Sequence, residues 1–128
     1  EQRSPKWQQA VNDTNGEVLM VDEKLDPAAT REQRVLRAAY FSCTDGARTK
    51  TPEQAGWADT PYFQRLGEVF ASVEDPLGDD PQRQGFKACG HQVGLSGYGA
   101  TQMAKQGKEY RDIIDHYYQH SRIESWPR

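Results

Sequence analysis

Along the chain, apolar positions fall into a few short patterned runs separated by long polar stretches. Behind Ser4-Pro5, a good N-cap followed by a proline that suits the first helical turn, Trp7, Ala10, Val11 and Thr14 recur at helical spacing until Asn15-Gly16. This predicts a short amphipathic helix. Val18-Leu19-Met20-Val21 forms an apolar centre inside Glu17 to Asp22, and a longer strand-like run extends from Val35 to Cys43. The stretch between them, Glu23 to Arg34, is polar and contains the breaker Asp26-Pro27, so the two strands are expected to pair as a hairpin with an elaborated tip. Val69, Ala71 and Val73 alternate with Phe70 and Ser72 as in a third short strand, and Asp75 to Gly85 reads as a polar turn region. Ala100, Met103 and Ala104 share a helical face that ends at Gly107. Tyr110, Ile113, Ile114 and Tyr117 repeat the pattern on a second helix, whose stripe is expected to be core. The expected fold class is α+β: a small, mostly antiparallel sheet with a short N-terminal helix and two C-terminal helices, in one domain over residues 1–128.

Composition makes that core small. Leu, Ile, Val and Phe together number 20 of 128 residues, below the usual share, yet the net charge is only −3 and three Trp and six Tyr supply anchors that disordered chains seldom carry. Acidic and basic residues are mixed and no basic run exists, which argues against a general nucleic-acid binder, since such a protein needs a positive face to displace counterions from phosphates. Apolar stretches are too short to span a bilayer, and no signal-peptide pattern opens the chain.

Two segments carry candidate chemistry. Thr44 to Pro61 is a loop rich in Gly, Thr, Pro and Asp in which Trp57 is the one large apolar residue, so something must hold it down. Cys89 to Ala100 holds four glycines in twelve positions, interleaved with His91, Ser96 and Tyr98, directly before a helix. Such glycine density allows close approach of backbone to a ligand or to another segment. It is neither a Walker loop, which requires Gly-Lys-Ser/Thr, nor a dinucleotide fingerprint, which requires a preceding apolar strand.

The run Gly90-His91-Gln92-Val93-Gly94-Leu95-Ser96-Gly97-Tyr98-Gly99-Ala100, followed by Met103-Ala104, Gln106-Gly107-Lys108 and then Tyr110 through Ile113-Ile114 to His116-Tyr117-Tyr118, resembles the C-terminal signature of the stage II sporulation protein D family. Upstream, Ala10-Val11 with Thr14, Gly16 and Val18-Leu19 resembles another family segment. So do Ala39-Tyr40-Phe41-Ser42-Cys43 with Gly46 and Thr49, and Glu53 and Trp57 followed by Pro61-Tyr62. The resemblance runs from Trp7 to Tyr118. Gln92, Leu95, Gly97 and Ala47 depart from it, standing where the family carries Gly, Met, Gln and Gly.

The resemblance implies a bacterial, extracytoplasmic cell-wall protein. The family includes peptidoglycan lytic transglycosylases acting on glycan strands stripped of stem peptides, and amidase enhancers. Peptidoglycan glycan strands and other cell-wall hydrolases are the implied partners; nucleic acid is not one, and the chain contains no membrane segment. A lytic transglycosylase needs a carboxylic acid to protonate the glycosidic oxygen and then act as base. In the family that Glu belongs to a helical segment N-terminal to residue 1 of this chain, so the chain is expected to supply the glycan-binding wall without the catalytic acid. The alternative is a non-catalytic binding or amidase-regulating module. Substrate-binding positions implied are Cys43, Gly46, Thr49, His91, Ser96 and Tyr98.

Each has a plainer reading. His91 can bind sugar, move a proton or ligate a metal, or it can be satisfied within a tight glycine turn. Ser96 can meet a sugar or cap the following helix. Cys43 and Cys89, on loops that converge in the family fold, can form a disulfide, join His91 around zinc or remain buried thiols, and Cys43 with His91 is formally a peptidase pair. Three ligands fall short of a closed zinc site, so no cofactor is expected. His116 and His120 fit a solvated helix end better than a metal site, and surface loops account for Glu53 and Glu74.

Overall fold

A computed structural model describes residues 5–44, 48–76 and 88–126. Helix α1 (Pro5–Asp13) opens on its proline and is tied along its surface by Gln9 donating to Asp13 at 2.6 Å and Gln8 donating to Asn12 at 3.2 Å. The Thr14 hydroxyl donates back to the Ala10 carbonyl at 2.8 Å, and Gly16, at φ 82°, turns the chain into strand β1 (Glu17–Val21).

The expected hairpin is corrected here. β1 pairs antiparallel with the C-terminal strand β4 (Ser121–Ser125), Glu17 opposite Ser125 and Val21 opposite Ser121. The Val35–Cys43 segment pairs with β1 through backbone where Met20 bridges Val35 and the Leu36 N–H donates to the Leu19 carbonyl at 2.9 Å. It then leaves, and its regular part is just β2 (Tyr40–Phe41), which runs parallel to β3 (Leu95–Ser96). β4 carries one strongly apolar residue, Ile123, in Ser-Arg-Ile-Glu-Ser, which is why no strand was expected there.

The expected third strand is also replaced. Helix α2 (Pro61–Leu66) continues into a 3-10 turn, Gly67–Phe70, in which the neighbours Val69 and Phe70 are both completely buried. Consecutive burial alone does not choose the winding, since Met20 and Val21 are both fully buried within strand β1. Val73 and Glu74 then run extended beside Arg48 and Thr49, with the Thr49 N–H donating to the Val73 carbonyl at 2.9 Å. Of Asp75 to Gly85, only Asp75 and Pro76 are among the described residues.

The two C-terminal helices form as expected: α3 (Gly97–Lys105) and α4 (Tyr110–Tyr117), the latter started by a reciprocal capping box between Glu109 and Asp112. Ile113 and Tyr117 are buried on α4, but Tyr110 is 42% exposed, a correction to the expected stripe. The first turn of α4 projects beyond the core, and the Tyr110 hydroxyl donates to Glu17 at 2.8 Å. The core gathers Val21, Leu66, Val69, Phe70, Val93, Met103, Ile113, Tyr117 and Tyr118. The architecture is α+β, with an antiparallel two-stranded ribbon and a separate parallel pair.

Candidate functional site

The glycine-rich segment reaches β2 because two of its glycines leave room. Gly94 sits at φ 83°, and a Cβ there would collide with the Ala39 carbonyl. That same carbonyl accepts from the Leu95 N–H at 3.3 Å and from the Tyr118 hydroxyl at 2.7 Å. Gly90, at φ 102°, would press a Cβ against that of Phe41 at 3.1 Å. At the end of β2, Cys43 and Cys89 pair through backbone and through a disulfide, with Cα atoms 4.9 Å apart. The Tyr98 N–H donates to the Ser42 carbonyl at 2.9 Å, fastening the start of α3 to the same strand.

The result is an open cleft of about 580 Å³ lined by Tyr40, Phe41 and Ser42 from one segment, Cys89, Gly90 and His91 from another, and Gly97. Tyr40 is 73% exposed. His91 accepts the Val93 N–H on Nδ1 at 3.0 Å, so the neutral ring carries its proton on Nε2, which has no partner among the described residues. The imidazole is wedged between Trp57, at 4.8 Å between centroids, and the edge of Phe41 at 5.9 Å. Trp57 packs in turn on Phe63 at 4.9 Å, and Phe63 on core Phe70 at 5.3 Å. This file of rings ties the Trp57 part of the loop to the core and packs against the His91 imidazole.

A buried polar network joins Thr44, Asp75 and Tyr117. Asp75, 4% exposed, accepts from the Thr44 hydroxyl at 2.6 Å and from the Tyr117 hydroxyl at 2.7 Å, with no cation paired to it among the described residues. Burial, and then the hydrogen bond to Asp75, raise the Tyr117 phenol well above its ordinary pKa. Tyr118 is pushed up to about 12, mainly by burial. Ser96 is fully buried and its hydroxyl accepts the Gly99 N–H at 3.0 Å, the N-cap of α3.

Of the six positions singled out from the sequence, Cys43 and His91 come together around the cleft, Cys43 through its bridge to Cys89. Thr49, 3% exposed, spends its hydroxyl on the Val73 N–H at 2.9 Å. Both Thr49 and Ser96 are buried, and their hydroxyls are engaged within the protein, by the Val73 N–H and the Gly99 N–H. Tyr98 is half-buried on α3 and is not part of the cleft lining, and Gly46 lies outside the described residues. In the bridged form neither sulfur is a thiolate, so the pair offers neither a zinc ligand nor a nucleophile. His116 bonds the Glu74 carbonyl through Nε2 at 2.6 Å, and His120 lies 4.0 Å from Glu68. Glu53 lines a different depression of about 670 Å³ beside Trp57 and Phe63.

Tyr40 was missed from the sequence. Its alternation with buried Phe41 was the available signal, because strand neighbours face opposite ways.

No family model matches the chain. Over 33 residues the chain is 61% identical to stage II sporulation protein D of Bacillus amyloliquefaciens, and over 60 residues it is 40% identical to stage II sporulation protein D of Bacillus subtilis (strain 168). Those stretches make up 26% and 47% of this chain but only 10% and 18% of the two relatives. The chain is thus similar to a minor part of two proteins named for sporulation.

Proposed function

We propose that the chain belongs with the stage II sporulation protein D family and is a peptidoglycan-interacting domain working at the bacterial cell wall, outside the cytoplasm. In this reading it forms the glycan-binding part of a lytic transglycosylase acting on peptide-free strands. The observation that carries the reading is the pairing of an exposed Tyr40 ring with the Nε2–H of His91 on one open cleft. A pyranose presents a face of C–H groups and a rim of hydroxyls and acetamido oxygens; the negative face of a phenol ring suits the former and a fixed N–H donor the latter. An open trough also suits a polymer better than a closed pocket does.

Among the described residues the cleft lining contains no carboxylate. Glycosidic cleavage needs a carboxylic acid against the scissile oxygen, so the described residues are read as binding a strand, with the acid of any complete enzyme supplied from the upstream segment the resemblance implies. The same observation favours the second reading, a non-catalytic wall-binding module that regulates amidases or other hydrolases.

Titrating the chain with peptide-free glycan strands, and separately with stem-peptide-bearing fragments, tests the reading by NMR. Signals of Tyr40 and His91 should move with the former more than with the latter. Equal or absent perturbation overturns it. Incubation with denuded strands should release no 1,6-anhydro products; their appearance would assign the acid to this chain and reject the binding-wall reading.

A further inference from the structure

We infer that Arg37 is a carboxylate subsite beside the cleft: its guanidinium takes the lactyl carboxylate that a glycan strand keeps once its stem peptide is gone. The inference rests on the glycan reading above and names the charged group by which this surface tells a peptide-free strand from a peptide-bearing one.

Three observations carry it. Arg37 is exposed, and among the described residues its guanidinium meets neither a hydrogen-bond acceptor nor a carboxylate, whereas every other described arginine is spent within the protein. It is nonetheless held in place. The Arg37 N–H donates to the Tyr62 hydroxyl at 2.8 Å, and its guanidinium sits over the Tyr62 ring, 5.3 Å from the centroid. A guanidinium seated on a ring still has N–H groups to offer, and their planar fork matches the two oxygens of a carboxylate. The position is also continuous with the cleft. Arg37 precedes Tyr40 on one segment, at most about 11 Å away along an extended chain. The rings that reach His91 reach Tyr62 as well: Trp57 packs on His91 at 4.8 Å and on Phe63 at 4.9 Å, and Phe63 on Tyr62 at 5.2 Å. A short oligosaccharide spans that separation.

The depression around Arg37, about 490 Å³, also contains Glu32 and Arg65. Asp26 holds Arg65 at 3.0 Å and Glu32 opposes an anion of high charge, so among the described residues the lining offers one unspent cation. That suits a singly charged, planar carboxylate better than a phosphate. A muramic acid residue presents such a group only when its lactyl ether is free, because attachment of a stem peptide turns the carboxylate into a neutral amide.

Calorimetric titration of the whole chain tests this with two probes: short peptide-free strands, and the same strands with their lactyl carboxylates converted to methylamides. The native chain should bind the carboxylate form about tenfold more tightly. Arg37→Gln, which keeps the backbone bond to Tyr62, should lose that preference and leave affinity for the methylamide form unchanged. Arg37→Lys, which restores the charge without the fork, should recover part of it. Equal affinity of the native chain for the two forms overturns the subsite. So does an Arg37→Gln loss of the same size for both forms, which is the mark of a structural role. Binding of neither form rejects the glycan reading and the subsite with it, whereas binding that Arg37→Gln leaves untouched rejects the subsite alone.

Discussion

The Tyr117 hydroxyl meets the Asp75 carboxylate at 2.7 Å in the space that a side chain at position 99 would occupy. A Cβ on Gly99 would overlap both the Asp75 Oδ1 and the Tyr117 hydroxyl oxygen. The glycine of the signature is thus a vacancy reserved for a hydrogen bond between α4 and the segment after the 3-10 turn, with Ser96 capping α3 alongside.

Gly99→Ala should therefore destabilise the fold by about 2–4 kcal/mol, combining overpacking with a broken buried hydrogen bond. Gly67→Ala is the control. Gly67 has φ −56° and nothing within 4 Å of its would-be Cβ, so alanine there should be neutral or stabilising by up to about 1 kcal/mol. Urea unfolding of the two variants reads the difference, and equal effects would contradict the packing described.

Tyr40→Ala and Ser96→Ala should separate binding from scaffold. Tyr40 is 73% exposed, so its removal should leave the unfolding midpoint unchanged while lowering affinity for peptide-free strands by about tenfold. Ser96→Ala removes the α3 cap and should cost about 0.5–2 kcal/mol of stability. Calorimetric titration beside thermal unfolding checks both; a stability loss in Tyr40→Ala would place that ring in the core instead.

Alkaline pH should unfold the chain through its buried phenols. Tyr118, 4% exposed, has its pKa raised from 10.0 to about 12, and Tyr117 is raised as well. Ionisation is easier in the unfolded state, so the stability these groups contribute is complete below pH 10 and falls as pH rises from there through the folded-state values. For Tyr118 the loss across that window is roughly 2–3 kcal/mol. Unfolding followed by circular dichroism from neutral to alkaline pH should show it. Tyr118→Phe should be less stable at neutral pH, having lost the 2.7 Å bond to Ala39, but should decline less steeply above pH 10.

Trp57→Ala should cost about 2–3 kcal/mol, less than a fully buried Trp because the ring is only half-covered. It should also loosen His91, whose imidazole it backs at 4.8 Å. Faster amide exchange at Ala55 and Gly56, together with a broadened His91 signal, is the expected readout; an unchanged His91 signal would mean the ring contact does not position it.

α1, α3, α4 and β1 were legible from sequence because each is specified by its own neighbours; α2 was not read. Pro5 and Gly16 delimit α1, Gly107 ends α3, and the i, i+3, i+4 pattern places Ile113 and Tyr117 inward, whereas the Glu109 and Asp112 box that starts α4 emerged only in the structure. The signature was equally legible as composition, four glycines in twelve residues. What only the tertiary structure decided was pairing and orientation. β1 takes β4 as its partner across a separation of about a hundred residues, and Ser121–Ser125 carries almost no local strand signal, so nothing short-range could announce it. The turn at Gly67–Phe70, which places both Val69 and Phe70 in the core, was likewise visible only in the tertiary structure. The cleft follows the same rule. Whether Cys43, Cys89 and His91 meet, and whether Tyr40 faces outward over them, depends on Gly94 lying against the Ala39 carbonyl and on Gly90 against Phe41. Those are contacts between distant segments, and a chain read residue by residue holds the glycines but not the partners that require them.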